Sequence, residues 1–230
     1  TDLDHNDANP IPGATLTPED PLTGLDDLAA QVKASGIDTV NGDVIIDDRL
    51  FEGELAGQPV PPTIINQNII DVLITPGAAA GDPATGELIP AVAPWTLTVD
   101  VDTVEAGGKT ALDDPELTGD GQLTIRGTIA ADADPTLKVW VLTDTATFAR
   151  TAFIEALERA GVTVTADPLA TNPAEALPAE DVVESSPAVA ELESLPLSEE
   201  VKYVMKISYN RGAQTFVCRL AAASGSKDCD

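Results

Sequence analysis

Residues 206–210, Lys-Ile-Ser-Tyr-Asn, place a Ser-x-Asn tripeptide between two segments with helical character. Upstream of it, Ser198 is a residue type that caps helices, and Glu199 and Glu200 follow where the helix dipole favours acidic side chains. Downstream, residues 215–223 carry a second helical pattern. The sequence therefore predicts a helical C-terminal region in which the tripeptide leads into the second helix. The apolar face of the first helix is predicted to consist of Val201, Val204 and Met205.

The composition is that of a chain able to form a core, because 43% of its 230 residues are hydrophobic. This length predicts one or two compact units. No apolar run approaches the roughly 18 residues that a membrane span requires, and the longest, such as 60–65, contain prolines. Neither an initiating Met nor a basic-then-apolar leader is present at Thr1, so any export signal is expected to have been removed or to lie outside this sequence.

The charge balance is strongly acidic, since 39 Asp and Glu face 12 Lys and Arg and give a formal net charge of -27. Such a field repels phosphate backbones and anionic lipids, which excludes nucleic acid as a partner. Two interpretations stay open, a heavily solvated surface and a specific cationic partner, and the small number of lysines favours the first.

The two cysteines, Cys218 and Cys229, lie eleven positions apart. A local disulfide in an exported protein is the favoured interpretation, and the alternative is one buried and one idle cysteine. Two cysteines and the lone His5 cannot form a four-ligand zinc site. Residues 2–6 resemble the start of a calcium loop, but Asp7 stands where the turn glycine belongs. No metal or organic cofactor is predicted.

The N-terminal half alternates turn signals with short apolar segments. From Leu25 the apolar positions follow helical spacing as far as Gly36, which is typical of a helix C-terminus. Next, residues 37–40 and 44–46 flank the Asn-Gly dipeptide at 41–42, which favours a tight turn. The sequence predicts a β-hairpin here.

The middle of the chain is rich in β-branched residues, and helical spacing then returns at 147–160 before a short apolar stretch at 162–164. Between 166 and 196 the composition turns to Pro, Ala, Glu and Ser without a sustained period, which indicates a connecting segment. The predicted strands of the middle region are 69–74, 95–101, 123–129 and 137–142.

Several stretches resemble, in the same order from about residue 25 to 220, those of one enzyme family. That family is the low-molecular-mass penicillin-binding D-alanyl-D-alanine carboxypeptidases and endopeptidases with a large insertion between their first and second motifs. Its Ser-x-x-Lys nucleophile motif and its Lys-Thr-Gly strand are both missing from the expected places. The chain therefore resembles the insertion plus a piece of the catalytic domain. The matching stretches are 42–48, 72–77, 126–129, 148–153, 155–157, 160–162, 196–198 and 206–210.

The resemblance implies an α+β fold class. A small α/β accessory unit would contain a nested β-rich domain and would be followed by a helical fragment of a penicillin-recognising catalytic domain. The implied boundaries are 1–24 for an irregular arm, 25–60 and 130–168 for the accessory unit, 61–129 for the inserted β-rich domain, 169–185 for the connecting segment and 186–230 for the catalytic fragment.

The resemblance also implies roles for Ser208 and Asn210. The nucleophilic serine and its lysine lie outside this chain, and Ser208 relays a proton to the departing D-alanine amine. Asn210 grips the amide of the peptide or penicillin side chain, because a carboxamide both donates and accepts hydrogen bonds. Tyr209 is the variable position between them, and Lys206 is expected on the helix surface. A Ser-x-Asn in an unrelated chain often only caps a helix.

The implied function is hydrolysis of peptidoglycan stem peptides by an extracytoplasmic parent enzyme that also binds β-lactams, with this chain alone inactive. Two alternatives are an extracytoplasmic scaffold that binds cell wall or protein, and a degenerate homologue. Ser224 and Lys227 satisfy Ser-x-x-Lys by chance, in a Gly/Ser tail that follows the Ser-x-Asn. Residues 107–110 resemble a phosphate loop without its leading glycine, so a turn is expected there, and His5 offers no Ser-His-Asp triad.

Overall fold

The computed structural model describes residues 20–55 and 57–229. The fold comprises two compact units, and the mixed α+β class is confirmed. The β-rich unit spans residues 68–143, and the α/β unit comprises residues 22–67 and 144–229. The chain thus leaves the α/β unit, builds the β-rich unit and returns.

The helices in chain order are α1 (Thr23–Ala34), α2 (Thr145–Arg159), α3 (Glu180–Ser185), α4 (Leu197–Ile207) and α5 (Asn210–Ala223). The strands are β1 (Thr39–Val40), β2 (Glu54–Leu55), β3 (Gln58–Pro59), β4 (Ile69–Thr75), β5 (Thr85–Ile89), β6 (Thr96–Val104), β7 (Ala111–Leu112), β8 (Glu116–Gly119), β9 (Gln122–Ala130), β10 (Thr136–Val141) and β11 (Thr163–Val164).

The first core of the α/β unit lies between α1 and α2. The predicted helices and the strand at 162–164 are confirmed, since β11 pairs with β1 beside this core. Gly36 and Gly161 follow the two helix ends with positive φ, as the sequence predicts for C-terminal glycines. Asp144 caps α2 by accepting a hydrogen bond from the Thr147 amide at 3.0 Å. The core side chains include Ala29, Val32, Ile154, Leu157 and Val162.

The predicted β-hairpin around residues 41–42 is wrong. β1 pairs in parallel with β11, and no strand is assigned at 44–46. Side chains satisfy the backbone instead, because Arg150 Nε donates to the Val44 carbonyl at 2.8 Å. Asn172 pairs with both backbone groups of Ile46, accepting from its amide at 2.8 Å and donating to its carbonyl at 3.0 Å. A buried backbone needs partners, and here distant side chains supply them in place of a second strand.

The β-rich unit contains two strand systems. β10, β4 and β5 form an antiparallel sheet in that order, whereas β6 pairs in parallel with β9 over nine residue pairs. β7 and β8 both pair with β9. The four predicted strands of this region are confirmed. The core comprises Val72, Ile74, Leu123, Ile125 and Ile129, all with no exposed surface.

Strand β10 lies beyond the sequence-derived boundary at 129 and still belongs to the β-rich unit. Its six residues pair with β4, from Thr136 opposite Ile74 to Val141 opposite Ile69. This register ties residues 136–141 to the sheet because each backbone group in the ladder gains its partner from β4.

Strand β5 was not predicted, and Gly86 explains why. A Cβ at Gly86 would lie 2.8 Å from side-chain atoms of Ile74, Leu97 and Val99. The glycine therefore lets core side chains contact the strand backbone directly. The same residue interrupts the apolar alternation that marks a strand in the sequence.

A second cluster of the α/β unit contains a disulfide between Cys218 and Cys229, with a Cα–Cα distance of 4.7 Å. Both cysteines are buried against Phe51 and Val60. The C-terminal segment is also paired through its backbone, since the Glu52 amide donates to the Lys227 carbonyl at 2.7 Å and the Cys229 amide to the Glu52 carbonyl at 3.1 Å. The disulfide thus joins α5 to the C-terminal segment, and Phe51 and Val60 pack against the bond.

Two details of α4 differ from expectation. The helix begins at Leu197 after Pro196, and Ser198 lies inside its first turn, so the predicted Ser198 cap is wrong. Proline fixes φ near the helical value, which suits it to this boundary. Of the predicted apolar face only Val204 is buried, whereas Val201 and Met205 are exposed.

No helix among the described residues combines the length and apolar character that crossing a bilayer requires. Within the same part of the chain, no three or more His, Cys, Asp or Glu side chains are grouped as a metal site.

Candidate functional site

The Ser-x-Asn motif forms a sharp bend between α4 and α5. Helix α4 ends at Ile207, and Ser208 adopts the left-handed conformation with φ 56° and ψ 41°. Tyr209 is extended, with φ -76° and ψ 92°, and α5 begins at Asn210. The Tyr209 amide donates to the Val204 carbonyl at 3.0 Å, which closes the last turn of α4. Two residues, Ser208 and Tyr209, therefore connect the two helices.

Ser208 and Asn210 flank Tyr209 at this bend, and both are exposed. Among residues 20–55 and 57–229, neither side chain has a hydrogen-bond partner. A non-glycine residue in the left-handed region is strained, and such strain concentrates at functional sites. The polar atoms of both predicted site residues are thus free to engage a ligand.

Tyr209 is partly buried, and its ring packs over Gly212 in the first turn of α5. A Cβ at Gly212 would lie 2.4 Å from Tyr209 Cδ1 and 2.9 Å from Val204 Cγ2. Sequence reasoning missed this glycine, although a glycine just inside a helical pattern is a signal of close approach. The ring therefore occupies the space that any other residue type at 212 would fill.

The environment of Tyr209 alters its acidity. Burial raises the pKa of the Tyr209 phenol because the charged phenolate loses solvation, and Tyr203 acts in the same direction. The positive charge of Arg211 partly opposes this rise in pKa. Tyr209 is therefore a neutral, packed ring at physiological pH.

Helix α5 is held to the rest of the α/β unit at several points along its length. Near its start, Arg211 Nη1 donates to the Pro59 carbonyl at 3.4 Å. Farther along, Arg219 lies 4.0 Å from Glu200 of α4. At the buried face, Cys218 forms the disulfide with Cys229. These contacts set the direction of the helix that begins at Asn210.

The sequence motifs that were matched by chance do not form sites among the described residues. Ser224 follows the end of α5, and its Oγ donates to the Ala221 carbonyl at 2.7 Å, so it does not begin a helix as a nucleophile motif requires. Lys227 forms an ion pair with Glu180. Gly107 lies in a turn with φ +73°. His5 and the calcium-like residues 2–6 lie outside the described residues.

Two crystal structures of penicillin-binding protein 4 from Haemophilus influenzae share the fold of this chain. The structure in complex with a β-lactam matches with a TM-score of 0.58 and 19% identity, over 90% of this chain and 45% of that chain. The other matches with a TM-score of 0.60 and 18% identity, over 88% and 46%. At these identities the likeness concerns the fold alone, and this chain covers less than half of each of those two structures.

The chain belongs to the D-Ala-D-Ala carboxypeptidase 3 (S13) family, whose model matches residues 13–228. A D-alanyl-D-alanine carboxypeptidase from Actinomadura sp. (strain R39) is 32% identical over 223 residues. That match covers 88% of this chain and 39% of the relative, so the chain spans well under half of its length. The family predicted from the ordered sequence stretches is confirmed.

Proposed function

We propose that this chain is part of a longer serine-type D-alanyl-D-alanine carboxypeptidase or endopeptidase that hydrolyses peptidoglycan stem peptides through an acyl-enzyme. The proposal rests on family membership and on one observation, the exposed pair Ser208 and Asn210 at the bend between α4 and α5. The chain alone is inactive in this proposal, because Ser-x-x-Lys at a helix start and Lys-Thr-Gly on a strand are missing.

The chemistry assigned to the bend follows from the side chains. A hydroxyl can accept and donate a proton, so Ser208 is suited to passing one to the amine of the departing D-alanine. Asn210 both donates and accepts, which suits it to holding the amide of the peptide or of a penicillin. Lys206 lies exposed in the last turn of α4 and has a helix-stabilising position there.

Exposed apolar surface on α4 supports the assignment of residues 186–230 to a catalytic domain. Leu197, Val201 and Met205 recur at every fourth position, and 76% of Met205 is exposed. Helix α5 likewise exposes Val217 and Leu220. An apolar stripe on a helix normally faces a core. The remainder of the catalytic domain is proposed to cover these stripes in the parent protein.

The disulfide supports an extracytoplasmic location, because such bonds persist in oxidising compartments. Peptidoglycan lies in the same environment, and peptidoglycan stem peptides and β-lactams are the proposed partners of the parent enzyme. The net charge of -27 is consistent with this choice, since it disfavours polyanions such as nucleic acid.

The test is labelling by a fluorescent penicillin, carried out side by side on this chain and on the parent protein. We expect the parent to be labelled and the chain to remain unlabelled, because the acylated serine lies outside these residues. In the parent, Ser208→Ala should slow acylation by about 100- to 10,000-fold, the range of general acid–base contributions. Ser224→Ala is the matched control and should not change the rate.

Each outcome has a distinct meaning. Labelling of this chain by itself would overturn the claim that it is inactive. A parent that binds cell wall or protein without being labelled would instead favour the extracytoplasmic scaffold. Altered nucleophile motifs in an unlabelled parent would indicate a degenerate homologue.

A further inference from the structure

The first turn of α5 contains a glycine that helix formation does not require. Gly212 is the third residue of α5, where alanine would form the helix better. Its φ is not positive, so the backbone does not demand glycine. Glycine is required at 212 because there is no space for a side chain. A Cβ would lie 2.4 Å from Tyr209 Cδ1 and 2.8 Å from Tyr209 Cε1. Contacts shorter than 3.0 Å are essentially absent between real Cβ atoms and their neighbours.

The ring that uses this space belongs to the central residue of the motif. Val204 contributes the other wall, with its Cγ2 2.9 Å from the same Cβ position at Gly212. The backbone of Tyr209 is fixed on both sides, because its amide donates to the Val204 carbonyl and its carbonyl accepts from the Ala213 amide, each at 3.0 Å. Tyr209 therefore connects the end of α4 to the first turn of α5 through both its ring and its backbone.

We propose that Tyr209 and Gly212 are a positioning pair for the Ser-x-Asn motif. The Tyr209 ring packs directly against the backbone of Gly212 and so fixes the conformation of the bend. The bend in turn sets the orientations of the Ser208 and Asn210 side chains. This inference rests on the proposed function, because orientation matters only if the motif engages a substrate. Neither Tyr209 nor Gly212 touches the substrate in this arrangement.

The physical basis is that the bend has a strained residue at its corner. Ser208 holds φ 56° and ψ 41°, a conformation that persists only where the surroundings over-determine it. A methyl group at 212 forces the Tyr209 ring to shift, and in this proposal the bend and both motif side chains shift with it. Displacements of about 1 Å at a catalytic group reduce rates by about 100-fold.

The test is a double-mutant cycle in the full-length parent protein, read out as acylation by a fluorescent penicillin. Gly212→Ala should lower the limiting acylation rate by about 10- to 100-fold. The same substitution added to Tyr209→Ala should cost much less, because its two shortest clashes, with the ring, are gone and only the contact with Val204 Cγ2 at 2.9 Å remains. Tyr209→Phe keeps the aromatic ring and should acylate at the wild-type rate. Gly24→Ala is the matched control, since it also adds a methyl group to a helix and its Cβ meets only Leu192 Cδ1 at 3.2 Å.

Equal losses from Gly212→Ala with and without Tyr209→Ala would overturn the proposal, as would an unchanged rate in Gly212→Ala. Far-ultraviolet circular dichroism checks that each variant folds. If Gly212→Ala does not fold, a folded and acylating double variant supports the clash with the ring, and an unfolded double variant overturns it.

A second readout does not depend on activity and separates this inference from the proposed function. In the present chain with Tyr203→Phe, only Tyr209 titrates as a phenol, because the chain has two tyrosines. Its pKa is raised by burial, and Gly212→Ala should return it toward the ordinary value of about 10 as the ring is displaced. An unchanged pKa would show that the ring has not moved and would overturn the pair. A wild-type parent that the penicillin does not label would contradict the proposed function. The titration of Tyr209 would then still test whether Tyr209 and Gly212 act as a pair.

Discussion

Arg150 joins segments of the α/β unit that lie more than 100 positions apart in the sequence. Its side chain has no exposed surface and bonds the Asp43 carboxylate with an Nη2–Oδ1 distance of 2.5 Å. It also donates to the carbonyls of Val44, Asp167 and Ala170. Guanidinium has five donors in a fixed planar arrangement, which allows one side chain to satisfy several backbone acceptors.

We expect Arg150→Met to lower the free energy of unfolding by about 3 kcal/mol or more, because Asp43 and three backbone carbonyls lose the partner that the buried guanidinium supplies. The measurement is urea denaturation of the chain. Arg159→Met is the matched control on the same helix. Its half-exposed side chain pairs with Asp26, and such surface pairs contribute about 1 kcal/mol or less. Equal losses in the two variants would contradict the role of Arg150.

The bond to Arg150 also makes stability depend on pH. It lowers the pKa of Asp43, whose side chain is 44% exposed. A lowered folded pKa means that Asp43 contributes stability above its unfolded pKa of about 3.9, and that the contribution is lost as pH falls through the folded value.

The pH prediction is therefore a difference between wild type and Asp43→Asn. Wild type should be the more stable protein near neutral pH, and its advantage should shrink as the pH falls below about 4. Urea denaturation of both proteins from acidic to neutral pH measures this. The comparison also removes the parallel effects of Asp38 and Asp47, whose pKa values are lowered by Lys33 and Arg49. A constant advantage at all pH values would contradict the assignment to Asp43.

Among the elements, α5 combines the candidate site at its start with the disulfide on its buried face. The bond joins Cys218 and Cys229 across eleven positions. Closing a loop of this length removes conformational freedom from the unfolded chain, which corresponds to about 3 kcal/mol in the chain-entropy model. The disulfide also keeps the C-terminal segment paired with Glu52.

Replacing both cysteines by alanine should accordingly lower the free energy of unfolding by about 3 kcal/mol. Chemical denaturation with and without a thiol reductant is the measurement. The reductant should destabilise wild type and leave the double variant unaffected. A wild-type transition that does not respond to complete reduction, verified by thiol titration, would contradict the prediction.

The elements that sequence reasoning predicted are those with long periodic patterns, including α2, β4, β6, β9 and β10. The prediction of a hairpin at 41–42 was wrong. Residues 44–46 have the composition of a strand, but the partners of their backbone groups are the side chains of Arg150 and Asn172. Those partners lie more than 100 positions away. Local propensity cannot register such partners, since it reports only what neighbouring residues favour.

At the scale of the whole molecule, the net charge of -27 is the dominant property. Excess charge of one sign destabilises a compact chain through self-repulsion. Salt weakens this repulsion, since the screening length falls from about 30 Å at 0.01 M to about 3 Å at 1 M. We expect the unfolding temperature to rise between these two concentrations of sodium chloride.

Differential scanning calorimetry of the chain over this salt range tests the prediction. Arg150→Met provides the contrast. It removes one partly buried ion pair, which salt screens less than surface charges, so the rise of the unfolding temperature with salt should persist in this variant. An unfolding temperature that falls with salt would show that the surface ion pairs, such as Arg126 with Glu116, outweigh the net repulsion.

The sequence alone determined the fold class, the main strands and helices, the family and the identity of Ser208 and Asn210 as candidate site residues. These features depend on local periodicity and on ordered short motifs, which are readable along the chain. The disulfide was favoured by the sequence with its alternative left open, and the tertiary structure joins the two cysteines. Three features became visible only in the folded chain: the hydrogen bonds of Arg150 to distant backbone carbonyls, the pairing of β10 with β4 and the packing of Tyr209 on Gly212. Each of these depends on which surfaces meet after the chain has folded, and that information is not local to any segment of sequence.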